Sequence, residues 1–274
     1  MIMDILNSIF NMVFNILFYP FHWLNPVWGL IFISVVVGIM MLFIFKHTSN
    51  QTGIKQLKNE LKAHLLEFRL YKDDVALSLE AMKDLFLTNF GYIKFALKPM
   101  LILMVPTILI LIQLATWYEF RPLQVGEKSI LSIKVKNAGL LERVELQTPE
   151  GIQIETPPIR IIPLSEIDWR FKAVREGDWQ LRVTIDGREY RKTVRVGNRF
   201  VKLAPYRLAG NSLSGLLYPG EKTLPGDGEL SEIHIRYPHR ETRVWGVPVH
   251  WLVIFLVVSI AAGFSMKGVF KVEI

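Results

Sequence analysis

Three apolar blocks constrain the fold of this chain more than any other feature. They cover residues 27–47, 98–118 and 247–265, and their Lys and His residues lie towards the ends. Each block is about as long as a helix that crosses the ~30 Å hydrocarbon core of a bilayer. Only helices or closed barrels satisfy every backbone polar group there. We therefore predict an α-helical membrane protein with three transmembrane helices.

The segment before the first block has a different pattern. Its polar residues recur every three or four positions, which places them on one narrow stripe of a helix: Asp4, Asn7, Ser8, Asn11 and Asn15. A signal peptide is the alternative, but it needs a basic start, and no Lys or Arg occurs before Lys46. We predict an uncleaved amphipathic helix over 1–26 that lies in the membrane interface.

The charged segment 48–95 separates the first two blocks. Its apolar residues recur every three or four positions on both sides of the break at Tyr71-Lys72-Asp73-Asp74, and charged residues fill the other faces. This pattern predicts a helical hairpin of coiled-coil type. Lys and Arg are frequent in it and absent before the first span, so the positive-inside rule places the hairpin and the tail 266–274 in the cytoplasm.

Residues 119–200 have the features of a β domain. Six short runs alternate or are rich in β-branched and aromatic residues, and Asp186-Gly187 between two of them is a strong hairpin signal. We expect an all-β immunoglobulin-like sandwich. The Pro/Gly-rich stretch 201–245 is interpreted as a connector, with one more strand within it at 232–237. Span parity then places the N-terminus and the β domain outside the cytoplasm, in a multi-pass protein of the inner (plasma) membrane.

Local sequence around these elements resembles a known family. Asn25-Pro26-Val27-Trp28-Gly29 resembles the start of its first conserved span, and Tyr71-Lys72-Asp73-Asp74 resembles the hairpin tip of its bacterial members. Lys98-Pro99-Met100 through Pro106 resembles the start of its next span. The family is the YidC/Oxa/Alb superfamily of membrane protein insertases, and the resemblance covers about residues 5–118 and, more loosely, 245–270. It implies insertion of short translocated segments through a groove between helices.

Three features depart from that family. Bacterial insertases have an Arg in the first conserved span, whereas here the corresponding place is near Met40 and carries no charge. Three spans resemble the reduced members of archaea and the endoplasmic reticulum. The β domain also lies later in the chain than the soluble domain of familiar members. These departures favour an alternative hypothesis, a non-catalytic scaffold or binding subunit that engages a partner through the β domain. A transporter is a third and weaker hypothesis.

A client is a membrane protein that an insertase is inserting. The residues that would contact it in the groove are the polar ones near or within the spans. Each has a structural alternative: a hydroxyl bonded to its own helix, an interhelical amide, or a snorkelling lysine. The groove candidates are Ser34, Lys46, Gln113 and Ser259.

Two further sets of residues are candidates for contact with partners. Basic residues of the hairpin would meet ribosomal RNA or anionic lipid, or form an ordinary solvated surface: Lys55, Lys58, Lys62, Arg69 and Lys72. Trp169 and Trp179 on predicted strands pack in the domain core or bind a partner.

Enzymatic motifs are missing from the sequence. It contains no Gly-rich phosphate loop, no HExxH and no GxSxG, and its six histidines are scattered. We expect no enzymatic activity, no metal site and no cofactor. The expected partners are the lipid bilayer, nascent membrane proteins, the ribosome and other membrane subunits.

Overall fold

The computed structural model describes residues 12–14, 16–18, 20, 25–70, 75–210, 215 and 218–273. The chain divides into two compact units. The helical unit contains residues 30–108 and 252–274, and the β unit contains residues 1–29 and 109–251. The predicted amphipathic helix over 1–26 and the hairpin tip at 71–74 lie largely or wholly outside the described residues.

Four long α-helices lie within the described residues. They are α1 (Pro26–Thr48), α2 (Gln51–Leu70), α3 (Val75–Tyr118) and α4 (Trp251–Phe270). Within the described residues, three helical segments have the length and apolarity to cross a membrane: Pro26–Thr48, Leu77–Tyr118 and Trp251–Phe270. The prediction of three helices of this kind is confirmed.

Helix α3 corrects one predicted boundary. The sequence separates a hairpin ending at 95 from a span beginning at 98, but α3 is one helix of 44 residues with Pro99 and Pro106 inside it. The apparent boundary marks a change from charged to apolar residues. A change from charged to apolar side chains alters what surrounds the helix, but the backbone hydrogen bonds of the helix continue past that point. A proline removes one of those bonds without ending a helix of this length.

Eleven strands are present among the described residues of the β unit. Two short 3₁₀ helices, Ala138–Arg143 and Ile162–Leu164, interrupt them. The strands are β1 (Lys128–Val135), β2 (Val144–Gln147), β3 (Ile152–Ile154), β4 (Ile159–Ile161), β5 (Glu166–Ala173), β6 (Gly177–Ile185), β7 (Arg188–Val196), β8 (Tyr206–Leu208), β9 (Leu230–Ile235), β10 (Arg243–Val244) and β11 (Val247–Pro248).

The strands pair antiparallel in two main sheets. The larger sheet has the order β3-β5-β1-β9-β8, with β4 also paired to β5, and the smaller has the order β2-β6-β7. Buried and more exposed positions alternate along β1 and β5. Residues of both sheets, among them Ile133, Phe171 and Val183, are fully buried in one hydrophobic cluster. Alternating sequence patterns therefore become two sheets that share a core.

The hairpin between β6 and β7 confirms the strongest local prediction. Ile185 pairs with Arg188, so Asp186 and Gly187 form a two-residue turn. Both turn residues have positive φ, 47° and 82°. Asp tolerates this conformation and Gly adopts it freely, which is why Asp-Gly favours this turn.

The stretch 201–245 is part of the β unit, so its interpretation as a connector needs correction. β8 and β9 lie in the larger sheet, and β9 pairs directly with β1. Leu230, Ile233 and Ile235 of β9 are fully buried. The many Pro and Gly residues of the stretch hide the short alternating patterns of its strands. From the sequence, only a strand at 232–237 was predicted there.

Candidate functional site

An apolar groove lies in the helical unit between α1, α3 and α4. Its volume is about 280 Å³. Carbon-rich side chains form most of its wall: Val37, Gly38, Met41, Leu42 and Phe45 of α1, Leu103 and Thr107 of α3, and Phe255, Leu256, Ser259, Ile260, Gly263 and Phe264 of α4. Such a lining fits hydrocarbon, either a lipid chain or an apolar side chain of another helix.

The hydroxyl groups of the groove bond to their own helices. Thr107 Oγ1 donates to Leu103 O at 2.7 Å, and Ser259 Oγ donates to Leu256 O at 3.2 Å. Thr107 Oγ1 also lies 3.7 Å from Met41 Sδ. Because each hydroxyl donates its hydrogen to its own helix, the groove wall is less polar towards an occupant. Each hydroxyl oxygen still keeps lone pairs that can accept a further hydrogen bond.

A close contact between α1 and α4 borders the groove. A Cβ atom added to Gly38 would lie 2.2 Å from Ser259 O, and one added to Gly263 would lie 3.4 Å from Gly38 O. Only a residue without a side chain fits at Gly38. Small residues allow helix backbones to approach closely in membranes, and this contact has that form.

The four predicted groove residues occupy different surroundings. Ser259 lines the groove, whereas Ser34 is fully buried and donates to Leu30 O at 2.7 Å. Lys46 lies half-buried in the last turn of α1. Gln113 lies in the β unit. The bonds of the two serines are those expected of structural hydroxyls.

Gln113 forms a buried polar contact within the β unit. Its side chain is 4% exposed, and Lys202 Nζ lies 3.3 Å from its Oε1, to which the ammonium donates. Burial lowers the pKa of Lys202 to about 8, and Arg195 adds a smaller effect in the same direction. Gln113 thus connects the end of α3 to the segment that follows β7.

An aromatic cluster surrounds the same end of α3. Phe18, Trp117, Tyr118 and Phe200 are buried, with ring centroids 4.7 to 5.8 Å apart in the pairs Phe18–Trp117, Phe18–Tyr118, Phe18–Phe200, Trp117–Phe200 and Tyr118–Phe200. Arg240 lies over the Phe200 ring at 5.1 Å, a cation–π contact. Tyr118 Oη donates to Pro26 O at 2.9 Å. In the sequence, Trp117 and Tyr118 are the last two residues of the predicted span 98–118.

Glu119 connects the end of α3 to the start of α4. Trp251 Nε1 donates to Glu119 Oε2 at 2.6 Å, and His239 Nδ1 lies 3.1 Å from Oε1. The charge-assisted bond fixes the indole at the first residue of α4. Long-range partners of this kind are not visible in a single sequence.

The basic residues predicted for the hairpin lie mainly on the surface of α2. Lys55, Lys62 and Arg69 are exposed, and Lys72 lies outside the described residues. Lys58 Nζ forms an ion pair with Glu273 Oε2 at 3.2 Å. Of the predicted hairpin residues, the structure thus places Lys58 next to Glu273, in the segment that follows α4.

The two tryptophans considered for core packing or for partner binding lie in different sheets. Trp169 on β5 is 5% exposed and belongs to the shared core. Trp179 on β6 packs against that core, and its Nε1 donates to Arg175 O at 2.9 Å. A Cβ on Gly151 would lie 1.9 Å from the Trp179 ring, so the indole covers this glycine. Both contacts favour the interpretation as core packing.

Trp245 differs from every other large apolar side chain described, because it is 99% exposed. It is the first residue of the two-residue turn between β10 and β11, with φ of 50°, followed by Gly246 with φ of 85°. A bulky residue in the left-handed region is uncommon. The turn comes six residues before Trp251, where α4 begins.

Comparison with known proteins gives little further constraint. No protein-family model matches the chain, and no curated protein matches it. Two crystal structures of an S-layer protein, rSbsC(31-844) and SbsC domains 4 and 5, are similar to part of this chain. Both are 16% identical, with TM-scores of 0.23 and 0.21 over 29% and 28% of this chain. The chain spans 12% and 47% of the lengths of those two structures.

Proposed function

We propose that the chain is a membrane protein insertase of the YidC/Oxa type. The observation that carries the proposal is the apolar groove between three helices that are each long and apolar enough to cross a membrane. A charged helix, α2, follows α1 directly and precedes α3. This order is the one that the sequence shares with the insertase superfamily.

The proposed mechanism is physical and breaks no covalent bond. A client's apolar segment packs against the groove while its short polar end crosses the hydrocarbon layer. Each backbone polar group left unpaired there costs several kcal/mol. Thr107 and Ser259 keep free lone pairs on the groove wall and can accept hydrogen bonds from the passing segment. The groove thereby shortens the path on which the segment has no partner.

The β unit has a supporting role in this proposal. We place it outside the cytoplasm, as an immunoglobulin-like domain of an inner-membrane protein, with the α2 hairpin and the C-terminal tail in the cytoplasm. Two contacts support this role: Tyr118 is bonded to the first residue of α1, and Glu119 to the first residue of α4. Within the β unit, these bonds join residues at which the three proposed spans begin or end. The unit also offers a surface for other membrane subunits.

A scaffold subunit is the second candidate function. The described lining of the groove contains no charged side chain, whereas bacterial insertases have an Arg there. A groove of this kind can also seat the helix of a permanent partner. The partner would then be a membrane protein bound at fixed stoichiometry.

Photocrosslinking during translation tests the first function against the second. The photoreactive residue is placed in the groove at Met41 or Ile260, and as matched controls at Val36 and Val257, which are exposed on the same two helices. We expect short-tailed nascent membrane proteins to crosslink at the groove positions only. A single stable partner at those positions, with no nascent chain, would support the scaffold and refute the insertase.

A further inference from the structure

A second, basic pocket lies in the helical unit where α2 begins and α4 ends. Its volume is about 580 Å³. Lys55 and Lys58 line it from α2, and Lys267 and Lys271 line it from the end of α4. From the sequence, the first two lysines were predicted on the hairpin surface, and the other two in the cytoplasmic tail 266–274.

The segment that follows α4 forms part of the pocket wall. Lys271 has a positive φ of 52°, which turns the chain after α4, and Val272 N donates to Lys267 O at 2.9 Å. Glu273 N then donates to Gln51 Oε1 at 2.7 Å. Val272 and Ile54 are both buried. These contacts fix the end of α4 against the first turns of α2, so the lysines converge through the fold.

The charge of the pocket is unbalanced. Among its described lining residues, Glu273 is the one acidic group, and it pairs with Lys58 at 3.2 Å. Lys55, Lys267 and Lys271 add three exposed positive charges to the same pocket wall. An anion with several oxygen acceptors could accept hydrogen bonds from more than one of these ammonium groups.

The position of the pocket along the chain indicates the source of the anion. Its walls begin three residues after α1 ends at Thr48, and include the last turn of α4. Both helices are candidate spans, and the parity of three spans puts these two ends on the same side of the membrane. A site next to the ends of two spans lies at the depth of lipid headgroups, where lysine clusters bind anionic lipids.

We propose that this pocket binds the phosphate of an anionic glycerophospholipid. The lipid phosphate contacts Lys55, Lys267 and Lys271, and the acyl chains extend along the adjacent spans. The inference rests on the membrane location of the spans and does not require insertase activity. A lipid held here would fix the α2 hairpin at the membrane surface.

Lipid binding to the full-length chain in detergent tests the proposal by native mass spectrometry. The probes are phosphatidylglycerol, zwitterionic phosphatidylcholine and inorganic phosphate. The pocket variant combines Lys55→Gln, Lys267→Gln and Lys271→Gln. The control combines Lys83→Gln, Lys94→Gln and Lys98→Gln, which removes the same charge from exposed positions of α3 outside the pocket.

We expect the wild-type chain to prefer phosphatidylglycerol over phosphatidylcholine. The pocket variant should bind phosphatidylglycerol at least about tenfold more weakly, and the control should change less than about twofold. Glu273→Gln provides a test that leaves every lysine in place. It frees Lys58 and should strengthen phosphatidylglycerol binding about threefold.

Several results would overturn the proposal. Equal losses in the pocket and control variants would show a general charge effect. Inorganic phosphate bound as tightly as phosphatidylglycerol would show a site for free phosphate. Unchanged lipid binding together with lost ribosome binding in the pocket variant would assign the lysines to RNA. None of these readouts uses a client, so they fail or succeed independently of the proposed insertion.

Discussion

Single residues show how tightly the helical unit is packed. A Cβ at Gly38 would lie 2.2 Å from the Ser259 carbonyl oxygen, closer than real Cβ contacts. Gly38→Val must therefore separate α1 from α4, and we expect it to lower the free energy of unfolding by about 1–3 kcal/mol. Thermal unfolding of the purified protein in detergent measures the change.

Gly91 provides the matched control for Gly38. A Cβ there would lie 3.7 Å from Leu57 Cδ2, an ordinary van der Waals distance, and Gly91 is inside α3. Gly91→Ala should leave stability unchanged or raise it by about 0.5–1 kcal/mol, because alanine favours a helix. Equal losses in both variants would contradict the proposed close contact.

Lys202 predicts a pH dependence of stability. Burial lowers its pKa to about 8 in the folded chain, below its ordinary value, so charging it disfavours the folded state. Between pH 8 and the ordinary lysine pKa of about 10.4, the unfolded chain binds more protons, and stability rises with pH. Below pH 8 the cost is fully present.

Lys202→Met isolates this effect. Methionine carries no charge, so the variant should gain stability relative to wild type at pH 7, and the difference should shrink by pH 10. The lost bond to Gln113 lowers the stability of the variant by an amount that varies little with pH. Melting temperatures of both proteins from pH 7 to 10 give the answer, and a difference that stays constant would refute the burial of a charge at Lys202.

The β10–β11 hairpin shows how an element depends on its turn. Trp245 has φ of 50° and Gly246 has φ of 85°. Asn occupies the left-handed region at much lower cost than Trp, and Asn-Gly is the preferred sequence for such a turn. Trp245→Asn should therefore raise the free energy of unfolding by up to about 1 kcal/mol, measured by denaturant unfolding.

Gly246→Ala is the opposite change in the same turn. Nothing lies within 4 Å of the added Cβ, so its effect is conformational alone. Its left-handed φ disfavours alanine, and we expect a loss of about 1 kcal/mol. For Trp245→Asn, the contradicting result would be a loss of stability, because it would mean that the exposed indole makes stabilising contacts outside this turn.

At the level of elements, much of the fold was readable from the sequence. Each of the six predicted strands overlaps an observed strand, because β-strands with one buried face alternate in sequence. The continuity of α3 through Pro99 was not readable, because the change in polarity there resembles the end of an element. β8 is only three residues long and pairs with β9, from which 21 residues of the chain separate it. Short local patterns do not specify such pairings.

The candidate site was less readable than the fold. Thr107 and Gly38 gave no signal beyond their membership of apolar blocks, because closeness between helices depends on their packing. In the sequence Lys267 and Lys271 resemble ordinary flanking residues, because the bond from Glu273 to Gln51 that folds this segment onto α2 has no local signal. Ser34, Gln113 and Ser259 were found by polarity alone, and polarity does not separate a structural hydroxyl from a functional one.

For the molecule as a whole, the proposed topology makes a prediction about two sides of a membrane. The chain contains no cysteine, so single cysteines report their own positions. In intact cells stripped of any outer membrane, a membrane-impermeant maleimide should label Glu142→Cys in the β unit. It should label Lys62→Cys on α2 only after lysis. Glu142 and Lys62 are both exposed, so a difference in labelling reports the side of the membrane and not burial. The reverse labelling pattern would invert the proposed orientation.

The groove itself is tested most directly by insertion into liposomes that contain only the purified protein. Leu103→Trp places a large ring in the groove, and Leu101→Trp places the same ring at an exposed position two residues away on α3. We predict that the wild-type chain increases insertion of a short-tailed client over empty liposomes. Leu103→Trp should reduce that gain by at least about fivefold, roughly 1 kcal/mol, and Leu101→Trp should retain it. Equal insertion into empty and protein-containing liposomes, or equal effects of the two variants, would contradict the proposed function.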